Sequence, residues 1–298
     1  MSSWNDVLVS IQQAGSASPI DTARRKAVGE LALYRDRNVI CYYSGFLQGS
    51  SSLEASINDN DMNGLMNAVH GLDRDKGLDL ILHTPGGDLA ATEAIVSYLK
   101  DCFHGDVVAI VPQMAMSAGT MIACACREIV MGRQSSLGPT DPQLGGVAAG
   151  GVVEEFQQAV QEVDRDPSSA AMWAQIIGKY HPTFLGDCKK ALDLSQELVG
   201  NWLKDGMFSG KTDSDEKANR VVSVLCDHSA SAMHNRHYSY QKLREIGLNV
   251  SLLEGDNDLQ DKVLTVHHAF MITFQQTGAD KVIESSGGKS WIVTSKTR

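Results

Sequence analysis

The 298-residue chain predicts an α/β fold with a parallel or mixed sheet, on three observations. Strand-length apolar runs alternate with helix-length amphipathic segments through the first half, the rhythm of strand–helix crossovers. Residues 78–83 (LDLILH) and 107–111 (VVAIV) are nearly continuous in apolar side chains, as strands buried on both faces are. Each run leads through small residues into a helix, at Pro85-Gly86-Gly87 in one case and Ser117-Ala118-Gly119-Thr120 in the other.

The elements follow in order. Pro19 opens a helical segment through Ala27, Leu31 and Leu33. Residues 38–43 (NVICYY) read as the first strand. Asp59 or Asn60 caps a helix whose Met62, Leu65, Met66 and Val69 keep helical spacing. Residues 78–83 form the second strand, and Ala91, Ala94, Ile95, Tyr98 and Leu99 line the helix after the glycine turn. The third strand is 107–111, the helix holding Ser117 follows, and 128–131 is the fourth strand.

Residues 132–151 hold six glycines and two prolines without periodicity, which marks a functional or mobile loop. Amphipathic helices are expected at 152–163, 192–203 and around Val221, Val222 and Leu225. Tyr240, Leu243 and Ile246 lead to a helix stop at Gly247. A long helix near 259–274 and a Ser/Gly/Lys-rich tail finish the chain. The expected organisation is a helical segment over 1–35, a core over 36–212 and a carboxy-terminal helical extension over 213–298. No internal repeat and no clean linker is visible.

Composition narrows the function classes. Twenty-six Lys and Arg against 36 Asp and Glu leave a net charge of −10, which opposes binding to a phosphate backbone. Arg24, Arg25 and Lys26 read as a solvated helix face, and no nucleic-acid partner is expected. The amino terminus lacks a basic region followed by an apolar one. The longest near-apolar window, 114–126, is too short to span a bilayer and reads as a buried helix. Six cysteines in apolar contexts, with no Cys-x-x-Cys spacing, read as reduced core residues of a cytoplasmic protein. No metal site and no cofactor is expected.

Two short motifs carry the chemistry. In Pro85-Gly86-Gly87 the proline fixes one backbone angle and the glycines reach conformations closed to other residues. Such a turn either joins a strand to a helix or aims an N–H at a carbonyl oxygen that becomes negative during reaction. Ser117 reads either as a helix N-cap or as a nucleophile beside small residues, with the free N–H groups of a helix start at hand. The two motifs reinforce each other: a tetrahedral oxyanion at Ser117 would find the Ala118 N–H on one side and the Gly87 N–H on the other. A serine nucleophile needs a base. Asp141, between Pro139 and Pro142, is either ordinary turn chemistry or a rigidly held carboxylate that orients an imidazole.

These motifs together resemble those of the ClpP-like serine peptidases. The similarity is nearest to the serine dehydrogenase proteinase family and more distant to SppA-type peptidases. It is strongest over 78–143 and weaker over 234–250 (HNRHYSYQKLREIGLNV). The resemblance implies a ClpP/crotonase-like spiral of β-β-α units with helical additions at both ends. It implies a Ser-Asp-His chain order, with Ser117 as nucleophile, Asp141 as orienting carboxylate and His234 as base, and an oxyanion hole at Gly86, Gly87 and Ala118. A triad in this order is physically acceptable, since the same constellation occurs in several orders. His237 stands where the family pattern often has proline, so His237 and His228 stay open as alternative bases. Lys179 is the first lysine after the long loop and the candidate for a Ser-Lys dyad, which its distance along the chain disfavours.

The implied activity is peptide-bond hydrolysis by acyl transfer, without ATP use by this chain itself. The implied assembly is a homo-oligomer, as trimer, hexamer or ring, with an unfoldase or regulatory partner. Two alternatives use the same fold. A crotonase-type acyl-CoA enzyme would use the glycine turn without the serine, and a catalytically silent scaffold would use neither.

Overall fold

Seven strands form one mixed sheet, ordered so that five parallel strands carry a two-stranded antiparallel hairpin on one edge. In the computed structural model, which describes residues 3–13, 18–49, 52–226 and 236–294, β1 (Asn38–Ser44), β2 (Leu78–His83) and β3 (Val107–Val111) pair in parallel. β4 (Met114–Ala115) leaves the main sheet and pairs with β6 (Ser136–Leu137), while β5 (Glu128–Met131) continues the main sheet beside β3. β7 (Gln143–Leu144) and β8 (Val147–Ala148) make a short hairpin within the glycine-rich loop. β9 (Val250–Leu252) closes the far edge against β5.

Alternation along the strands divides the core in two. Ile40, Tyr42, Leu80, Leu82, Ala109 and Ile129 face one side. They meet helices α4 (Asp61–Val69), α5 (Leu89–Cys102), α6 (Ala118–Ala125), α9 (Phe184–Asp205) and α10 (Ser214–Leu225). Val39, Cys41, Tyr43, Ile81, Val108 and Ile110 face the other side, under α2 (Pro19–Arg35) and α12 (Asn257–Gln276). The remaining described helices are α1 (Trp4–Gln13), α3 (Ser52–Ala55), α7 (Ala149–Arg165), α8 (Ala170–Ile177) and α11 (Tyr240–Glu245). All six cysteines are buried and free. Among the described residues no helix is long and apolar enough to cross a membrane.

Three sequence expectations need correction. The segment expected as a helical extension with a polar tail also supplies β9 and the hairpin β10 (Ala279–Ser285) and β11 (Ser290–Thr294), with β10 antiparallel to β1. The run ADKVIES hides its strand because Lys281 and Glu284 are buried charges with partners. Leu33 is 83% exposed, since the buried stripe of α2 runs through Arg24, Ala27, Val28 and Leu31. Arg24 is therefore not part of a solvated face. Its Nε lies 2.5 Å from Glu284 Oε2, and Nη1 donates to Thr273 Oγ1 at 3.2 Å, which joins α2, α12 and the hairpin.

Removing Glu284 leaves the buried Arg24 with the partly exposed Asp21, 2.9 Å away, as charge partner, a penalty near the low end of the about 3–5 kcal/mol for a stranded buried charge. Glu284→Gln is expected to lower unfolding free energy by about that amount in urea titrations. Adding Arg24→Met to it should restore most of the loss, because no uncompensated charge then remains.

Candidate active site

Strand β4 and helix α6 are joined by two residues, Met116 and Ser117. Met116 N donates to Thr84 O at 3.0 Å, which keeps Met116 in the strand layer, and Ala118 already begins the helix. Ser117 alone makes the reversal, and it does so at φ 49° and ψ −115°, a region that residues with a Cβ rarely occupy. Strained strand-to-helix corners of this kind expose a nucleophile. The Ser117 side chain is half-buried, makes no cap hydrogen bond and has no hydrogen-bond partner among the described residues.

The glycine turn lies directly against this corner. Gly86 has φ +102°, and a Cβ there would sit 2.7 Å from Ser117 Cβ and 2.8 Å from Met116 O. Ile57 N donates to Gly86 O at 2.8 Å and Asp88 N to Ile57 O at 2.9 Å, a parallel bridge. In that geometry the N–H of the intervening Gly87 faces away from Ile57. Among the described residues neither the Gly87 nor the Ala118 N–H donates a hydrogen bond. Thr120 locks the corner from below: its Oγ1 donates to Ala115 O at 2.9 Å and accepts from Gly138 N at 2.9 Å.

Gly86, Gly87, Ser117 and Ala118 thus line one groove of about 600 Å³. Leu53, Leu89, Met121 and Leu144 supply apolar walls, and Thr140, Gln143 and Ser195 supply polar ones. Asp88 is the one ionisable side chain among the described lining residues, and it is engaged as the N-cap of α5, accepting from Ala91 N at 2.8 Å.

The other expected residues fall in different places. Asp141 is fully buried just behind Thr140 and Pro142 of the groove wall, and its Oδ1 accepts from Gly150 N at 3.3 Å. Thr140 is held from three sides: its N–H donates to Leu225 O at 2.7 Å, its Oγ1 lies 3.0 Å from Cys226 Sγ, and Ser195 Oγ donates to its carbonyl at 2.9 Å. His237 is exposed, with Nδ1 2.8 Å from Ser136 Oγ, and does not line the groove. Lys179 is exposed in the turn after α8, also away from the groove lining. His234 and His228 lie outside the described residues.

Competing nucleophiles are weak. Burial pushes the Cys126 thiol up to about 12 and the Cys226 thiol up to about 11, so both stay protonated near neutrality. No group of three or more His, Cys, Asp or Glu among the described residues is arranged to hold a metal ion. His83, the last residue of β2, is fully buried and stacks on Tyr43, with Nδ1 3.1 Å from Ser44 O and Nε2 3.1 Å from Gln113 Oε1. It braces the strand ends that lead to both motifs. Burial takes its pKa down to about 4 against its two hydrogen bonds, and burial also takes His267, 5.5 Å away ring to ring, well below the usual imidazole range.

Thr84, Thr120, Thr140 and Ser195 are site residues that sequence reasoning passed over. Thr120 belonged to a motif already singled out, and Thr84 adjoins the glycine turn. Ser195 carried no signal, since its partner lies 55 positions away.

Residues 17–276 match the sequence profile of the family described as ClpP-like SDH-type serine proteinase. Two uncharacterized proteins of Methanocaldococcus jannaschii are similar to this chain. One is 30% identical over 218 residues, covering 73% of this chain and 67% of that protein. The other is 30% identical over 191 residues, covering 64% of this chain and 58% of its own length.

Two outcomes are expected. Gly86→Ala overpacks the corner, a destabilisation of about 1–3 kcal/mol beyond its backbone strain. Gly71→Ala shares the positive φ (+85°) but meets no atom within 4 Å, so the difference in urea midpoint between the two variants isolates the clash. The second concerns acid. His83 and His267 have folded pKa values below the ordinary 6.5, so the unfolded chain binds more protons as pH falls below that value. Their stability contribution is complete above about pH 6.5 and is lost toward pH 4, by up to about 1.4 kcal/mol per pH unit for each imidazole. Denaturant titrations between pH 6.5 and 4 should show this decline, and His83→Gln should make it shallower.

Proposed function

The chain belongs to the ClpP-like SDH-type serine proteinase family, and on that footing we propose that it hydrolyses peptide bonds by acyl transfer through Ser117. Ser117 Oγ attacks the scissile carbonyl, and the Gly87 and Ala118 N–H groups receive the oxyanion, with the α6 amino terminus adding its positive dipole end. Gly86 contributes by letting the turn approach. Collapse of the tetrahedral intermediate breaks the C–N bond and releases the amine, which takes the proton that the base removed from Ser117. Water then hydrolyses the acyl-enzyme through the same groups, and no ATP enters either step. The observation that carries this reading is the corner itself: a strained, half-buried serine without a hydrogen-bond partner among the described residues, in a groove with two undonated amides.

His234 is proposed as the base and Asp141 as the carboxylate that orients it. The support is indirect and comes from the ends of the segment that holds His228 and His234. Leu225 accepts from Thr140 N at 2.7 Å before it, and Tyr238 N donates to Leu137 O at 2.8 Å after it. Both anchors attach to the stretch of chain that leads into Asp141, at Leu137 and Thr140. His237 is less suited because its Nδ1 is engaged by Ser136, and Lys179 because it is away from the groove.

The architecture is read as the ClpP/crotonase-like spiral. Its support is the repeated unit of a main-sheet strand, a short strand of the second layer and a helix, as in β3, β4 and α6. Thr84 makes the corresponding second-layer bridge after β2, to Ala115. A cytoplasmic homo-oligomer acting on peptide or protein substrates completes the proposal. Exposed apolar residues Val160, Met172 and Leu194 on α7, α8 and α9 suit contacts between copies.

A fluorophosphonate probe tests the reading. Labelling should occur in the wild-type protein, map to Ser117 and vanish in Ser117→Ala. Peptide hydrolysis should fall by a factor of about 10⁴ or more in Ser117→Ala and His234→Ala, but only modestly in His237→Ala. Retention on a coenzyme A column without labelling would overturn the proposal.

A further inference from the structure

Behind the glycine turn runs a strap, residues 55–58, whose backbone groups are divided between two tasks. Both polar groups of Ile57 serve the turn, its N–H donating to Gly86 O and its carbonyl accepting from Asp88 N. The groups on either side face the scaffold. Ser44 Oγ donates to Ala55 O at 2.6 Å, Lys281 Nζ donates to Ser56 O at 2.7 Å, and Asn58 N donates to Asp61 Oδ2 at 3.0 Å. Lys281 and Asp61 are themselves paired at 2.6 Å with side chains 1% exposed, and Tyr42 Oη donates to the same Asp61 Oδ2 at 2.6 Å. The strap lies so close to the turn that a Cβ on Gly87 would be 2.3 Å from Ile57 N and O.

We propose that the buried Lys281–Asp61 pair is a positioning element for oxyanion stabilisation: it clamps the strap, and the strap holds Gly86-Gly87 with the Gly87 N–H turned into the groove. The inference rests on the reading of Ser117 as nucleophile. Neither charged group touches substrate. Lys281 lies on β10, far along the chain from both motifs, and reaches the turn through one residue, Ser56 to Ile57. A buried ion pair is a poor source of net stability compared with apolar packing. Here its geometry supplies what an apolar pair lacks, a donor for the Ser56 carbonyl and an acceptor for the Asn58 N–H.

Losing the clamp should free Ile57 from its alignment and let the Gly87 amide rotate, which removes a donor made useful only as charge develops. Of the groove lining, Met121 on α6 and Leu144 on β7 lie outside the strap, while the strap itself contributes only Ser56. The expected signature is therefore a fall in kcat with KM nearly unchanged.

The test uses Lys281→Met and the double variant Asp61→Leu/Lys281→Met in the full chain. The double variant buries no uncompensated charge and keeps the proposal falsifiable if the single variant does not fold. Amide hydrogen exchange of Ile57 and Asp88 should accelerate at least about tenfold, while exchange of Ile81 in β2 and Ile110 in β3 stays unchanged. kcat on a fluorogenic peptide and the rate of fluorophosphonate labelling should both fall about a hundredfold, with KM within about twofold of wild type. Unchanged exchange at Ile57 and Asp88 would overturn the proposal, as would acceleration shared equally by β2 and β3. So would a loss carried by KM alone. If wild-type protein shows neither hydrolysis nor labelling, the nucleophile reading fails, and with it the catalytic part of this inference. The exchange comparison then still decides whether the ion pair holds the turn.

Discussion

The tight corner at Ser117 is the constraint on which the rest of this protein is organised. A strand held by Thr84 and a helix buried on all sides are joined by Met116 and Ser117 alone. The backbone reverses within one residue at a positive φ, a conformation with an intrinsic cost of order 1–3 kcal/mol that persists only where surroundings over-determine it. They do so here. Thr120 ties the helix to β4 and to Gly138, Gly119 packs so tightly on Thr84 that a Cβ would lie 2.5 Å from its methyl, and Gly86 presses on Ser117 from the other side. The chemistry follows from this packing. The Ser117 hydroxyl makes no cap hydrogen bond to its own helix, and the residue lines the groove.

Around the corner, polar groups are fixed by backbone as much as by side chains. Thr140 illustrates the pattern, gripped by α10 through Leu225, by Cys226 and by Ser195 of α9. The consequence is a buried Asp141 on a segment with little freedom to move, in surroundings where water does not compete for the carboxylate. Preorganised groups of this sort act on developing charge without rearranging, which is where most electrostatic stabilisation of a transition state comes from.

The carboxy-terminal hairpin contributes through charge rather than through apolar bulk. Glu284 and Lys281 both point into the protein, one to Arg24 of α2 and the other to Asp61 of α4. Each pair fixes the register of β10 against β1, because a slip by one residue would send both charges to the opposite face without partners. The hairpin is thereby locked against β1, and its position is transmitted to the strap at Ser56.

Much of this was legible in the chain. Periodicity determined the parallel strands and most helices, since burial on one face or two leaves a local pattern. The short motifs singled out Gly86, Gly87, Ser117 and Ala118, which the fold brings to one groove, because a tight turn and a helix start demand particular residues at fixed spacing. What lay beyond local reach was every partnership between distant segments. The β10 strand was missed because its buried charges imitate a solvated tail, and Arg24 was misplaced because Glu284 lies 260 positions away. Ser195, Lys281 and Asp61 gave no signal at all. Sequence alone determined which residues could form a nucleophilic corner, because that depends on backbone sterics within a few positions. Only the tertiary structure decided which charges are buried and what holds the corner in place, because a buried ion pair is defined by the partner that folding brings to it.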